Sequence, residues 1–116
     1  MELVAFLGND KENWGQITAL VKRGEWEKVI LVKDKNISDS PIQAEIVEVD
    51  TGKPLLELKS DLMEKLKKKL VGGFEVALSL ASGSGKEHMA LISALLNLPL
   101  GVKLVVYTKE GVQFIT

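Results

Sequence analysis

The sequence contains no cysteine and only one histidine, His88, among its 116 residues. The lack of cysteine excludes disulfides, thiolate metal sites and cysteine nucleophiles. A single histidine also excludes a metal centre built on several imidazole ligands. On a helical segment, a lone histidine is most simply a partly exposed surface residue rather than a ligand contact.

An excess of one charge is also lacking, because 15 basic residues face 16 acidic ones and leave a formal net charge of −1. A dedicated DNA-binding or membrane-surface protein is expected to be strongly basic, so we expect no direct DNA binding. Long apolar runs are missing too, and no basic segment precedes the first apolar stretch. We therefore expect no membrane association and a cytoplasmic location. Any anionic ligand must be held by local features of the chain.

The length predicts one domain over residues 1–116, and 46% apolar with 27% charged residues is ordinary globular composition. A continuous apolar run too short for a helix predicts a buried strand at residues 3–7, and mostly apolar runs predict further strands at 28–32 and 75–80. Residues 43–49 alternate in polarity, as an edge strand does, and a fifth strand is predicted at 102–108. Residues 111–116 are predicted to return antiparallel to it, through a turn at 109–111.

Helical patterns follow the predicted strands at residues 3–7, 43–49 and 75–80, which are the first, third and fourth in chain order. The polar link at residues 34–41 is too short for a full crossover helix. The second helix is predicted from Pro54 to the glycine pair Gly72 and Gly73. Together the elements predict an α/β fold: a three-layer, Rossmann-like open sheet, mostly parallel, with a C-terminal antiparallel hairpin.

Two loops at the carboxyl ends of strands contain the candidate ligand-binding residues. They are Gly8, Asn9 and Asp10 after the first strand, and Ser82, Gly83, Ser84, Gly85 and Lys86 after the fourth. Each loop leads into a helix N-terminus, where free backbone N–H groups and the helix dipole favour phosphate. Asn9 or Asp10 is expected to cap the first helix, and Ser84 the last, with Glu87 completing a capping box.

Two better-known nucleotide motifs do not fit these loops. A Walker A motif needs glycine five positions before its Gly-Lys pair, where this chain has Leu80, and a hydroxyl residue after the lysine, where it has Glu87. A dinucleotide fingerprint needs two more glycines after Gly8. We therefore expect neither a P-loop NTPase nor a NAD enzyme, and no cofactor.

The segment Val76-Ala77-Leu78-Ser79-Leu80-Ala81-Ser82-Gly83-Ser84-Gly85-Lys86-Glu87-His88-Met89-Ala90-Leu91 resembles the CRISPR-associated Rossmann-fold (CARF) domain family. Gly83, Ser84, Lys86 and Met89 are similar to the turn of that family before its apolar helix, with Gly85 inserted or shifted. Residues 101–103 (Gly-Val-Lys) are similar to the start of its next strand. The link at residues 34–41 departs from the family, which usually places a helix there.

The resemblance implies a homodimer that binds a cyclic oligoadenylate, a signal in CRISPR antiviral defence, in a symmetric pocket. Both loops would face the ligand: Lys86 would contact phosphate, residues 82–85 would supply donors, and Asn9 and Asp10 would meet base or ribose. An alternative within the family is a metal-independent ring nuclease, in which Lys86 is the catalytic residue and the ribose 2′-hydroxyl the nucleophile. Those enzymes tend to place a hydroxyl residue where this chain has Asn9 and Asp10. A ligand-free interaction subunit is the third possibility.

Two further expectations concern apolar side chains. The last helix is apolar almost all round, and we expect Met89, Ile92 and Leu96 to pack on the sheet. Leu91, Leu95 and Leu98 would then be exposed, with Leu91 and Leu95 in or beside a dimer interface. Trp14 and Trp26 are most simply core residues, and stacking of a base on Trp14 is the alternative.

Overall fold

The apolar residues 3–7 form all but the first residue of a strand that is buried on both faces at the centre of the sheet. The computed structural model describes residues 1–38, 40, 42–70 and 73–116. Its strands and helices, in chain order, are β1 (Glu2–Leu7), α1 (Trp14–Arg23), β2 (Lys28–Asp34), β3 (Glu45–Val49), α2 (Leu55–Lys69), β4 (Glu75–Ser79), α3 (Gly85–Leu96), β5 (Gly101–Thr108) and β6 (Gly111–Phe114). A three-residue 3-10 helix, Lys11–Asn13, precedes α1.

The six strands form one sheet in the order β3-β2-β1-β4-β5-β6. Val4 of β1 is opposite Ile30 of β2 on one side and Leu78 of β4 on the other, both in parallel register. β6 pairs antiparallel with β5, where Val106 lies opposite Gln113. The predicted α/β, Rossmann-like sheet with a C-terminal antiparallel hairpin is therefore confirmed.

Helices cover both faces of this sheet, because successive residues of its strands point to opposite sides. Leu3, Ala5 and Leu7 of β1 face α1, where they pack with its buried side chains Ile17 and Leu20. The other face carries α2 and α3 over a core that includes Val4 and Phe6. These three layers are the ones predicted.

The orientation predicted for α3 is wrong. Leu91 and Leu95 have no exposed surface and lie in the core that α3 shares with α2 and the sheet. Met89 and Leu96 are instead 60% and 66% exposed, and Ile92 of the same predicted stripe is half-buried against that core. The buried stripe also contains the alanines Ala90 and Ala94, and we attribute the orientation to these small side chains, which let α3 lie close to α2 and the sheet. Leu98 is half-buried against the same core, so the interface expected through Leu91 and Leu95 cannot form in this fold.

The link between β2 and β3 contains no helix in its described residues, as its polar composition predicted. Ile42 and Ala44 at its end pack on the α1 side of the sheet, beside Leu31. Asp39 and Pro41 lie outside the described residues, as does Gly72 at the predicted end of α2. The helix begins one residue after its predicted start at Pro54 and ends at Lys69, before the predicted glycine pair.

Within the described ranges, none of the helices is both long and apolar enough to cross a bilayer.

Candidate functional site

The candidate site lies where the chain leaves neighbouring strands in opposite directions. β1 and β4 are adjacent and parallel, but β1 leads to α1 on one face of the sheet while β4 leads to α3 on the other. Open α/β sheets bind their ligands outside the carboxyl ends of the strands at such a switch point. The two predicted loops therefore meet at the position that the fold favours for a ligand.

Side-chain and backbone hydrogen bonds join these two loops into a cluster that we call the loop clasp, formed by Gly8, Asp10, Ser82 and Gly83. The buried Gly8 N–H donates to Ser82 Oγ at 2.8 Å, and Ser82 Oγ donates to Asp10 Oδ1 at 2.6 Å. The Gly83 N–H donates to the same carboxylate oxygen at 3.0 Å. The hydroxyl and backbone donors expected to bind phosphate at residues 82 and 83 are thus engaged within the protein.

The clasp depends on two glycines that lie against each other. A Cβ added to Gly8 would lie 2.6 Å from Gly83 Cα, a distance that no side chain can adopt without backbone movement. Gly83 has φ +108°, in the region that favours glycine, and its own added Cβ would lie 2.7 Å from Cδ1 of Phe6. Both glycines are therefore required for the close approach of the loops.

Asp10 does not cap the first helix, contrary to expectation. No side-chain hydrogen bond from Asp10 or Asn13 reaches a helix N-terminus here. The Asp10 carboxylate instead accepts from Ser82, Gly83 and, through Oδ2, from Asn13 Nδ2 at 2.7 Å. Burial alone raises the pKa of Asp10, but these hydrogen bonds outweigh burial and hold the pKa below its ordinary value of 3.8. This carboxylate is therefore a stable anion inside the predicted anion site.

The start of α3 matches the sequence prediction more closely. Ser84 and Glu87 form the expected capping box, in which the Ser84 N–H donates to Glu87 Oε1 at 2.7 Å and the Glu87 N–H donates to Ser84 Oγ at 3.4 Å. Gly85 and Lys86 follow as exposed residues of the first turn. Their backbone N–H groups donate to no other described residue, as is normal for the first turn of a helix.

Lys86 reaches a third loop at the same edge. Its Nζ donates to the backbone oxygen of Thr51, in the loop between β3 and α2, at 2.9 Å. Thr51 in turn donates through its N–H and its Oγ1 to Asp34 Oδ1 at the end of β2, both at 2.8 Å. None of the ion pairs among the described residues includes Lys86. Its charge is therefore held in place by a neutral oxygen.

His88 belongs to the site although it was expected to be only a partly exposed surface residue. Its Nε2 lies 2.7 Å from the Ser82 carbonyl oxygen, so the ring donates there. The imidazole also packs edge-on against Phe6, with ring centroids 6.3 Å apart. A usable signal was its place in the first turn of α3, since that turn faces the loop from which the helix starts.

The predicted site residues thus divide into two groups. Gly8, Asp10, Ser82 and Gly83 form the clasp, whereas Ser84, Gly85 and Lys86 present the outer start of α3. Asn9 is exposed and belongs to neither group; it borders a separate cavity with Trp14. Among the residues that the structure describes, no three histidine or acidic side chains are grouped to hold a metal ion.

A scan of protein-family models, a search of curated proteins and a search of solved structures each found no match to this chain. The CARF-like identity therefore stays a prediction from sequence resemblance. The geometry of the carboxyl edge is what supports a functional proposal.

Proposed function

We propose that this chain is a homodimeric binding module for a cyclic oligoadenylate, with the ligand at the carboxyl edge of β1 and β4. The observation that carries the proposal is Lys86 at the first turn of α3, beside the switch point of the sheet. Its ammonium group has no carboxylate partner among the described residues and is held by the Thr51 carbonyl at 2.9 Å. A fixed lysine beside two helical N–H donors suits a phosphodiester.

The clasp changes the roles that the resemblance implied. Gly85 and Lys86 supply the phosphate donors in this proposal, because Ser82 and Gly83 already donate to Asp10. Ser82 and Gly83 serve instead as positioning residues that hold the start of α3 against the loop after β1. The Asp10 carboxylate repels phosphate, so the ligand backbone lies on the Lys86 side of the clasp.

The homodimer of the proposal forms through the α3 outer face, which we define as Met89, Ile92 and Leu96. A depression of about 480 Å³ runs along this face and begins at Gly85 and His88, so the apolar surface is continuous with the donor site. Burying one such side chain contributes roughly 1.5–3 kcal/mol. An isologous dimer through this face places the Lys86 sites of both protomers around one two-fold axis. That arrangement matches a cyclic ligand with two-fold symmetry.

Calorimetry with cyclic tetra-adenylate and cyclic hexa-adenylate tests the binding proposal. We expect heat from one ring, and a loss of at least about tenfold in affinity for Lys86→Ala, since a charge-assisted hydrogen bond is removed. Lys67→Ala is the matched control, because it removes the same charge near the far end of α2. Equal affinities for the two variants, or no heat from either ring with folded protein, would overturn the proposal.

Light scattering at micromolar concentration tests the assembly. We expect twice the 12.7 kDa chain mass for the wild type and a shift towards the monomer for Leu96→Lys. Leu56→Lys is the control, because Leu56 on α2 is at least as exposed as Leu96 but lies outside the α3 outer face. A monomeric wild type, or dissociation by both substitutions, would contradict this interface.

The clasp itself favours a second candidate, a ligand-free interaction subunit. The Ser82 hydroxyl and the Gly83 N–H are both satisfied internally, as expected for a rigid turn that binds nothing. Absence of heat together with a dimer that survives Lys86→Ala would favour this function.

A ring nuclease is distinguished from a binding module by following the fate of labelled cyclic tetra-adenylate. In that reaction a ribose 2′-oxygen attacks the adjacent phosphorus, the 5′-oxygen leaves, and linear product appears that Lys86→Ala abolishes.

A further inference from the structure

A cavity of about 240 Å³ lies between the loop after β1 and the loop after β2, on the α1 side of the carboxyl edge. It lies beside the loop clasp, since Asn9 joins the clasp residues Gly8 and Asp10 in sequence. We call it the Trp14 cavity, and its lining residues are Asn9, Lys11, Trp14, Asn36, Ile37 and Ser38.

The Trp14 indole is held in one orientation. Its Nε1–H donates to the Gly8 carbonyl oxygen at 2.9 Å, which ties the first residue of α1 to the clasp. Lys11 Nζ lies over the ring at 5.5 Å from the centroid, so a cation already occupies a position on the π-face. An aromatic ring fixed before the ligand arrives loses little entropy when another ring stacks on it.

The rest of the lining offers neutral hydrogen-bonding groups. The side-chain amides of Asn9 and Asn36 can each donate and accept, and Ser38 adds a hydroxyl. None of the described residues that line the cavity carries a carboxylate. The carboxylate of Asp34, at the end of β2, accepts from Thr51 and from the Asn36 N–H, and is engaged there. The cavity therefore suits a planar, uncharged group with donors and acceptors along its edge.

Two other cavities lack this combination. The depression along the α3 outer face is lined mainly by apolar side chains, and a cavity of about 270 Å³ at the opposite edge of the sheet is bordered by the carboxylates of Glu2, Glu27 and Glu75. Neither offers a tryptophan with amide side chains. Stacking on an aromatic ring together with amide contacts to the base edge is the usual chemistry of nucleobase recognition.

We infer that the Trp14 cavity is a nucleobase site, in which a purine stacks on the Trp14 indole and the amides of Asn9 and Asn36 contact its edge. This deepens the proposed function by placing one base of the ring ligand, and for that ligand it rests on the proposed function. Lys11 moves aside or contacts the adjoining phosphate when the base enters.

Tryptophan fluorescence tests this inference because the chain has two tryptophans. Trp26 packs against Phe114 with ring centroids 6.3 Å apart, outside the Trp14 cavity, so Trp26→Phe leaves Trp14 as the sole reporter. We expect adenosine 5′-monophosphate and cyclic tetra-adenylate to quench this variant, with excitation at the red edge of the indole band. Ribose 5-phosphate, which has the phosphate without the base, should leave it unchanged. Trp14→Phe is the matched variant, whose remaining Trp26 should not respond.

A second variant, Asn36→Ala in the Trp26→Phe background, tests the base site even if Trp14→Phe does not fold. We expect it to weaken quenching by adenosine 5′-monophosphate about tenfold, as loss of an amide contact to a base does. Heat from cyclic tetra-adenylate without quenching of Trp14 would overturn the base site and leave the proposed function standing. Quenching by adenosine 5′-monophosphate with no heat from either ring would support the base site and overturn the ring ligand. Equal quenching by ribose 5-phosphate would overturn the base site.

Discussion

The loop after β1 and the loop after β4 combine glycine with short polar residues, and each precedes a helix, but the structure uses them differently. After β4, Ser84 and Glu87 cap α3 locally. After β1, Asp10 extends to the neighbouring loop, and a 3-10 turn without a side-chain cap leads into α1. An acidic residue before a helix can therefore satisfy another loop's donors as readily as those of its own helix.

The largest effect that separates the two loops is expected at Gly83. Its φ of +108° is costly for any other residue, and an added Cβ would lie 2.7 Å from Phe6 Cδ1 and 2.9 Å from His88 Nε2. Gly83→Ala should therefore lower the free energy of unfolding by about 3 kcal/mol, measured by urea denaturation.

Gly85→Ala is the control for that substitution. It makes the same change at the first residue of α3, where nothing lies within 4 Å of an added Cβ. We expect the free energy of unfolding of this variant to rise by about 0.5 kcal/mol, because alanine restricts the unfolded chain more than glycine does. Equal urea midpoints for the two variants would contradict the close contact of the loops.

A smaller difference is expected between the two serines. Ser82→Ala leaves the buried Gly8 N–H without its acceptor and should lower the free energy of unfolding by about 2 kcal/mol. Ser84→Ala removes only the long capping hydrogen bond of 3.4 Å from the Glu87 N–H, and should lower the free energy of unfolding by about 0.5 kcal/mol. Thermal unfolding of both variants checks the order, and a larger loss for Ser84→Ala would show that the cap, and not the clasp, holds this edge together.

The sheet was predictable because its strands have unambiguous patterns. Residues 3–7 are apolar without interruption, as a strand covered on both faces must be, and the outer strand β3 alternates as an edge strand does. The start of α3 was predictable for the same reason, since a capping box is a local pattern. Ser84 and Glu87 are three residues apart and need no other part of the chain.

The orientation of α3 could not be predicted in this way. Both of its stripes are apolar, and periodicity alone does not say which one meets α2. The pairing of Ala90 and Ala94 with Leu91 and Leu95 was the available signal, because small residues mark the side where a helix packs closely. The clasp could not be predicted for another reason. Ser82 and Asp10 are separated by 72 positions, and local capping rules consider only residues that are close in sequence.

The smallest expected effect concerns pH and sharpens the role of Asp10. Hydrogen bonds hold its folded pKa below the ordinary value of 3.8, despite burial. The resulting stability is fully present above the unfolded pKa and is lost as the pH falls through the folded pKa. Because the carboxylate is partly solvated, we expect a contribution of only roughly half a kcal/mol.

Asp10→Asn isolates this contribution, because asparagine keeps an acceptor oxygen but does not titrate. The pKa of Asp34 is also lowered: hydrogen bonds from Thr51 and Asn36 outweigh its burial, and that group titrates in both proteins. Urea denaturation from about pH 5 to about pH 2 should therefore show the wild type losing more stability than Asp10→Asn, by the small difference that Asp10 supplies. Parallel curves would mean that the hydrogen bonds of Asp10 do not favour its charged form. In that case the clasp depends on the oxygen atom of residue 10 and not on its charge, and phosphate would meet less repulsion there than we propose.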